Sequence, residues 1–281
     1  MAVINELREM LSLSFMVNAL ICGILISVCS ALLGVSLVLK RYSMIGDGLS
    51  HVAFASLAIG SALFIAPVSV AIPTVIVAAF VLLRLSEKGK MKGDALTAII
   101  STGSLAIGTV AISLSPGANV DLNGYMFGSV FALSKNDVIC SVMLFIVVVL
   151  TYVIMYNKIF SITFDPSFAK ATGVRVGVYD TVLALLSAIT IVIGMRFMGT
   201  LLISALIVFP PMSAMRIMKS FKGVVITSAV FPVICFTSGL TLSYILDTPA
   251  GATVVCVSLA VFLLCALIGA LKNKARSSKA N

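Results

Sequence analysis

The sequence predicts an all-α protein, a polytopic bundle of membrane-spanning helices. Hydrophobic residues make up 60% of the 281 residues and charged residues only 10%, whereas soluble domains are about a quarter charged. The mean hydropathy is +1.20. The apolar residues come in blocks of about 18 to 25, the length that a helix needs to cross roughly 30 Å of hydrocarbon. The alternating pattern and regular turns of barrel strands are missing, so we interpret the blocks as helices.

Nine blocks are candidate spans, in one membrane domain that covers residues 1–281. They lie near residues 13–39, 49–66, 67–85, 94–114, 137–156, 178–195, 199–215, 223–246 and 251–271. The first block is too long for a cleavable signal peptide and lacks a small-residue cleavage site. No polar turn separates the second block from the third, so counts of eight or ten spans also stay open.

The basic residues predict the orientation of the bundle. With the N-terminus outside and the C-terminus inside, all of the 19 lysines and arginines except Arg8, Lys135 and Arg196 fall on the inner side. Cytoplasmic loops carry this bias. The net charge of +9 therefore indicates short loops beside anionic membrane lipid, and no nucleic-acid partner is predicted.

Sequence motifs argue against an enzyme. Neither GxxxxGK[ST] nor HExxH occurs, so work that needs ATP must be done by a separate polypeptide, and metal-dependent hydrolysis lacks its ligands. The six cysteines all lie inside apolar blocks without CxxC spacing. They are predicted to be packing residues, with neither a disulfide framework nor a cysteine metal site.

A carboxylate and an imidazole stand together at the start of the second block. Asp47 and His51, the single histidine of the chain, are four residues apart and so share one helix face. This ligand pair suits Mn²⁺, Fe²⁺ or Zn²⁺ better than Mg²⁺ or Ca²⁺. Two ligands do not complete a site, but two copies around a dimer axis would supply four. The structural alternative is that Asp47 caps the helix and His51 bonds to a neighbouring carbonyl.

A second candidate site lies in an inner loop, at residues 164–175. Asp165 followed by Pro166 is a typical helix start and Gly173 a typical helix stop, so a short cytoplasmic helix is predicted. Phe168 would project from it as an aromatic anchor for a protein partner. The alternative is an interfacial helix that lies on the membrane.

Two consecutive prolines, Pro210 and Pro211, lie inside the block at 199–215. Because both lack a backbone donor, we expect the helix to kink or break there. Broken helices at membrane depth usually line a cavity. These prolines therefore mark a candidate pathway helix, and a simple kink is the alternative.

Four segments together resemble the permease family of manganese, zinc and iron ABC importers. They are, in chain order, the basic pair at 40–41 followed by GDGLSH at 46–51, DPSFAKATG at 165–173, GTLLISALIVFP at 199–210 and DTPAGA at 247–252. Each stands where the predicted topology of that family has it, and the resemblance covers nearly the whole chain.

The resemblance implies a subunit that carries a divalent metal ion into the cytoplasm by alternating access, in a bacterial plasma membrane and without a permanently bound cofactor. It implies a permease homodimer, an extracellular solute-binding protein that delivers Mn²⁺ or Zn²⁺, and two cytoplasmic ATPase subunits. The ATPases would dock on the short inner helix through Asp165, Phe168, Ala169 and Gly173. Residues 52–57 lack the Pro-Gly of many manganese-type members, so the choice of metal stays open.

Three other functions are compatible with parts of the sequence. A permease for a chelated metal, such as a siderophore or cobalamin, shares the general helical plan but does not need a ligand pair for a bare ion. A membrane-embedded metalloenzyme would have one histidine and no hydrolase motif. A purely structural membrane scaffold predicts that changes in the inner loops leave transport intact.

Overall fold

Every regular element in the described part of the chain is a helix. The structure, a computed structural model, describes residues 12–87, 93–115, 124, 126, 128 and 133–280. In chain order the helices are α1 (Ser14–Leu39), α2 (Ser43–Ala62), α3 (Pro67–Glu87), α4 (Gly93–Ser113), α5 (Lys135–Ile154), α6 (Tyr156–Phe164), α7 (Pro166–Ala171), α8 (Val176–Ile217), α9 (Phe221–Leu246) and α10 (Ala250–Ala280). The all-α prediction is confirmed. Four residues of the predicted charge bias, Arg8, Lys88, Lys90 and Lys92, lie outside the described residues.

Seven helices of the described part are long and apolar enough to cross a membrane. They are α1, most of α3, most of α4, α5, α8, α9 and the first 23 residues of α10. Many of their large apolar side chains point outward, including Ile107 of α4, Val147 of α5 and Leu267 of α10. Outward apolar surface on helices is what a lipid environment requires. The count of nine spans is not established by these seven and stays a prediction.

The weakest predicted boundary, between the second and third blocks, is a real turn. Helix α2 ends at Ala62 and α3 begins at Pro67, a residue suited to the first helical position. Between them Phe64 adopts a left-handed conformation with φ 56°. The backbone N–H of Ile65 donates to the carbonyl of Gly60 at 2.9 Å, which closes the end of α2.

Helix α8 is divided by an elbow at Gly199. Its 42 residues would measure about 63 Å if straight, twice the thickness of a bilayer core. Gly199 instead has φ 82° and ψ 165°. A Cβ placed on Gly194 would lie 2.5 Å from Cδ1 of Ile203, although nine residues of straight helix span about 13 Å. The chain therefore folds back into two arms, α8a (176–198) and α8b (200–217).

The expectation of a break at the two prolines is wrong. Backbone torsion angles stay helical at both Pro210 and Pro211, and both side chains are buried. Pro211 leaves the carbonyl of Ile207 without its helical donor. Helix α1 crosses at that carbonyl, since a Cβ on Gly34 would lie 2.1 Å from the Ile207 oxygen. The helix therefore continues through both prolines, at the point where α1 packs against it through Gly34.

Residues 157–177, predicted as a loop with one short helix, contain two helices. Helix α6 begins at Tyr156, directly after α5, and ends at Phe164. Its rings pack on Phe221 of α9, with centroid distances of 5.4 Å for Tyr156 and 5.3 Å for Phe160. This contact with a residue about sixty positions away supplies the apolar support that the local sequence did not reveal.

Two apolar cores join the helices. The first surrounds α2 and α8, with Leu49, Phe54 and Ile203 all essentially inaccessible to solvent. The second joins α1, α5, α6, α8 and α9, and it includes Ala169 of α7. Helix α2 thus lies at the centre of one core, and the short helix α7 is anchored on the other.

Candidate functional site

Helix α2 carries the candidate metal ligands and is surrounded by its own chain. Its small residues permit this: a Cβ on Gly46 would lie 3.0 Å from Cδ1 of Ile207, and a Cβ on Gly48 would lie 2.7 Å from Cγ2 of Thr97. On the α8b side, the hydroxyls of Ser50 and Ser204 share a hydrogen bond of 2.9 Å. Neighbouring helices therefore shield a polar helix from lipid, which is where intramembrane polar residues are tolerated.

Asp47 and His51 lie one turn apart on the side of α2 that the chain leaves open. The His51 side chain is 22% exposed and that of Asp47 is 40% exposed. Met44, one turn before Asp47, is also exposed, while most of the rest of α2 is buried. The predicted shared face is therefore present, and it is accessible from outside this chain.

The spacing of the two side chains suits a shared metal ion. Nε2 of His51 is 3.8 Å from Oδ1 of Asp47, which is too long for a direct hydrogen bond. Two ligand atoms that each lie about 2.1 Å from a tetrahedral ion are about 3.4 Å apart. A small side-chain rotation would bring both atoms to one ion.

The alternative, in which Asp47 caps the helix and His51 bonds to a neighbouring carbonyl, does not occur in the described residues. Helix α2 begins at Ser43, and Tyr42 is its N-cap residue, so Asp47 lies in the second turn and cannot cap. The ring atom Nδ1 of His51 is buried and makes no hydrogen bond within the described part of the chain. Buried polar atoms usually have a hydrogen-bond partner, so His51 is not held by the carbonyl bond that the alternative requires at Nδ1.

One chain does not provide a complete metal site. Among the described residues, no three His, Cys, Asp or Glu side chains lie close enough to hold one ion. Within the described residues, Asp47 and His51 could supply two of the four ligands of a tetrahedral site.

The predicted short helix is present, with the predicted ends. The carboxylate of Asp165 accepts a hydrogen bond of 2.9 Å from the backbone N–H of Phe168, and Pro166 is the first helical residue of α7. Gly173 has φ 82°, and the N–H of Val174 reaches back to the carbonyl of Ala169 at 2.9 Å. These bonds form an N-cap and a glycine-dependent C-cap.

The side chains of α7 divide into an anchor and an exposed face. Ala169 is fully buried in the second core, whereas Phe168 is 62% exposed. Phe160 and Phe164, on α6, are also exposed apolar rings and stack at 5.0 Å. Sequence reasoning missed Phe160 and Phe164, although their spacing of four residues signals one helix face.

The two prolines lie on the arm that packs behind the metal ligands. Helix α8b contacts α2 through Ser204 and Ile207, and Pro210 and Pro211 follow within the next turn, both buried. The arm therefore supports the ligand-bearing helix. The role of Pro210 and Pro211 in lining a pathway stays a prediction.

Two ion pairs were not predicted from the sequence. Nζ of Lys40, at the end of α1, bonds to Oδ1 of Asp180 at the start of α8, and the two side chains are only 12% and 16% exposed. At the end of α8a, Nη1 of Arg196 lies 3.5 Å from Oδ1 of the buried Asp137. Charged residues near helix ends suggest from the sequence that ion pairs could form there. The partners cannot be identified from the sequence, because each pair joins distant parts of the chain.

The fold and these features define a multi-pass membrane transport subunit. The family model described as "ABC 3 transport family" matches residues 12–269, and this chain belongs to that family. It is therefore a permease-type subunit of a metal ABC transporter and not an enzyme, in the plasma membrane. The family resemblance drawn from the four motifs is confirmed.

Individual proteins with similar sequences are named for metal transport. The chain is 30% identical over 246 residues to "High-affinity zinc uptake system membrane protein ZnuB" of Haemophilus influenzae, covering 88% of this chain and 94% of the relative. It is 28% identical over 260 residues to "Manganese transport system membrane protein MntC" of Halalkalibacterium halodurans, covering 91% and 88%.

A solved structure has the same fold over nearly the whole length. "PsaBC from Streptococcus pneumoniae in complex with Fab" aligns with a TM-score of 0.83 at 25% identity, covering 94% of this chain and 95% of that one. Agreement at this level over the full length extends to the order and packing of the helices.

Proposed function

We propose that this chain is the permease of an ABC importer that carries Mn²⁺ or Zn²⁺, with Fe²⁺ as a further candidate, into the cytoplasm. The observation that carries the proposal is the pair formed by Asp47 and His51. A carboxylate and an imidazole lie 3.8 Å apart on the open side of a helix that is otherwise enclosed. The names of the zinc and manganese relatives support the same class of cargo.

Two copies of the chain are proposed to complete the site. Each copy would contribute one Asp47 and one His51, which gives four ligands, the number that Zn²⁺ prefers. The exposed stripe through Met44, Asp47 and His51 is available for this contact because no described helix covers it. A symmetric dimer places the same stripe of both copies at its axis.

The short helix α7 is proposed to be the cytoplasmic coupling segment, at residues 164–175, on which an ATPase subunit docks. Phe168 supplies an exposed ring, while Ala169 ties α7 to the second core. Asp165 and Gly173 fix its two ends through the caps described above. A helix that is rigid at both ends and anchored beneath can transmit force from a partner. An extracellular solute-binding protein is proposed to deliver the ion on the opposite side.

The proposed topology has nine spans, with the N-terminus outside and the C-terminus inside. In this topology α2 counts as one span and each arm of α8 counts as one, which adds two spans to the seven long apolar helices. Import would proceed by alternating access, in which ATP hydrolysis by the partner opens the permease dimer first outward and then inward.

Uptake measurements test the metal proposal. Asp47→Asn and His51→Ala are each expressed with the partner ATPase and binding protein, and uptake of radiolabelled Mn²⁺ and Zn²⁺ is normalised to assembled complex. Both variants are expected to lose uptake, because the first removes the anionic ligand and the second removes the imidazole. Asp94→Asn, a change to an exposed carboxylate on α4, is the matched control and is expected to leave uptake unchanged. Near-normal uptake per complex in both ligand variants would refute the proposal.

The same assay separates a bare ion from a chelated one. Uptake is repeated with a strong soluble chelator added in excess over the metal. A bare-ion permease is expected to lose uptake when the chelator captures its cargo. Uptake that persists, or rises, with the chelated metal would instead identify a chelate permease.

A further inference from the structure

A basic cleft lies between the end of α3 and the start of α8, beside α7. Its volume is about 680 Å³, within the range of cavities that hold small ligands. Three basic residues from three elements line it: Arg84 of α3, Lys170 of α7 and Arg175 before α8. We define these three residues as the basic cluster.

The basic cluster has no acidic partner within the described residues. The ion pairs of that part of the chain are Lys40 with Asp180, His51 with Asp47, and Arg196 with Asp137. Asp180 also lines the cleft, but its charge is already balanced by Lys40. Among the described side chains, three positive charges at the cleft are therefore left without a paired carboxylate.

The backbone at the cleft adds to the attraction for an anion. Helix α8 begins at Val176, and its N-cap residue Arg175 makes no side-chain capping bond. A Cβ built on Gly177 would meet no atom within 4 Å, so the first turn of the helix opens directly into the cleft. The helix dipole at this start favours negative charge, although the N–H groups of Val176 and Val178 already donate to the carbonyls of Val174 and Arg175 at 2.9 Å.

One flank of the cleft is apolar and faces outward. Phe80 and Val178 line it, and both are exposed. The guanidinium of Arg84 lies 5.1 Å from the Phe80 ring centroid, so charge and apolar surface meet at one point. A ligand that satisfies both parts needs an anionic head and a hydrocarbon tail.

We propose that this cleft binds an anionic phospholipid, with its phosphate on the basic cluster and an acyl chain along Phe80 and Val178. Basic pockets between membrane helices on the cytoplasmic side bind such headgroups. Because Lys170 belongs to α7, the bound lipid would touch the segment proposed to couple to the ATPase. Lipid binding is measured on the isolated chain, so its failure would leave the proposed metal transport untouched.

Native mass spectrometry of the purified full-length chain tests the binding. Phosphatidylglycerol is titrated against phosphatidylcholine of the same acyl composition. Arg84→Gln, Lys170→Gln and Arg175→Gln are each expected to weaken phosphatidylglycerol binding roughly fivefold, and the triple variant on the order of a hundredfold. Phosphatidylcholine binding is expected to be unchanged in all of them.

The control is a second triple variant with the same loss of charge. Lys158, Arg216 and Lys222 are exposed and do not line the cleft. Replacing all three with Gln is expected to change phosphatidylglycerol binding less than about twofold, because only diffuse attraction is lost. Equal losses in the two triple variants would overturn the proposal.

A steric variant separates a shaped site from surface charge. Gly177→Leu keeps all three cations and places a side chain where nothing now lies within 4 Å. Phosphatidylglycerol binding is expected to fall as it does for a single charge variant. Unchanged binding in this variant would overturn the assignment to the cleft.

Two further outcomes identify a different ligand. If inorganic phosphate displaces phosphatidylglycerol at equal concentration, the cleft is a free-anion site and the lipid assignment is wrong. If the basic-cluster triple variant keeps its lipid but no longer assembles with the ATPase, the cleft belongs to that protein interface. Displacement only by anionic lipid, together with intact assembly, supports the proposal.

Discussion

The elbow at Gly199 provides the sharpest test of the fold. Gly199 has φ 82° and ψ 165°, a backbone region that only glycine occupies readily and that costs other residues about 1–3 kcal/mol. A Cβ there would also lie 2.4 Å from the carbonyl oxygen of Met126 and 2.5 Å from the N atom of Gly128. Overpacking of this kind costs about 1–3 kcal/mol. Gly199→Ala is therefore expected to destabilise the protein by about 4 kcal/mol.

Two other glycines separate the two contributions. Gly173 shares the positive φ, 82°, but a Cβ there would meet nothing within 4 Å, so Gly173→Ala carries the backbone cost alone, about 1–2 kcal/mol. Gly103 lies inside α4 with helical geometry and open space around it. Gly103→Ala should thus be neutral or stabilising by up to about 1 kcal/mol.

Thiol accessibility on heating measures this series. Cys22, Cys29, Cys235 and Cys265 are buried free thiols, so a thiol-reactive fluorogenic dye reports their exposure as the protein unfolds. At about 2–4 °C per kcal/mol, Gly199→Ala should lower Tm by roughly 10 °C and Gly173→Ala by about 3–6 °C. A Tm for Gly199→Ala equal to that of Gly173→Ala would refute the packing at the elbow.

Three further predictions concern the ion pair, the coupling segment and the topology. Asp180→Asn leaves the mostly buried charge of Lys40 without a partner and should lower the free energy of unfolding by about 3–5 kcal/mol. Tm should recover when Lys40→Met is added, and a Tm that does not recover would contradict the pairing. Phe168→Ala removes an exposed ring and should weaken ATPase docking with Tm unchanged; normal transport-coupled ATP hydrolysis would count against this role. Cysteines at Asn136 and Lys219, in a cysteine-free background, should be labelled from opposite sides of the membrane, and labelling from one side would exclude the nine-span topology.

Local signals predicted the short helix and, through the boundary between the blocks at 178–195 and 199–215, the approximate position of the elbow at Gly199; they did not predict the contact that forms it. The ends of α7 depend on Asp165, Pro166 and Gly173, which bond to residues within a few positions of themselves. The elbow depends on the backbone near Gly128 meeting Gly199, a contact that no local pattern encodes. The adjacent prolines gave a stronger local signal for a break, yet that arm stays helical where α1 packs against it.

The candidate metal site shows the same division. The spacing of Asp47 and His51 was enough to place both on one face, because helix geometry is local. The start of α2 at Ser43, which rules out capping by Asp47, and the close packing of its glycines against α4 and α8b are not contained in that spacing. The ion pair between Lys40 and Asp180 joins residues 140 positions apart and was therefore not predictable from spacing.

The folded-back shape of α8 has a mechanical consequence. Arm α8a follows α7 after a few residues, and arm α8b contacts α2 soon after the elbow, through Ser204 and Ser50. One continuous stretch of polypeptide thus runs from the exposed ring of Phe168 to the back of the helix that holds Asp47 and His51. In the proposed importer, a displacement of α7 by the ATPase would be transmitted through both arms of α8 to the helix that carries Asp47 and His51, and Gly199 is the point at which this path turns back.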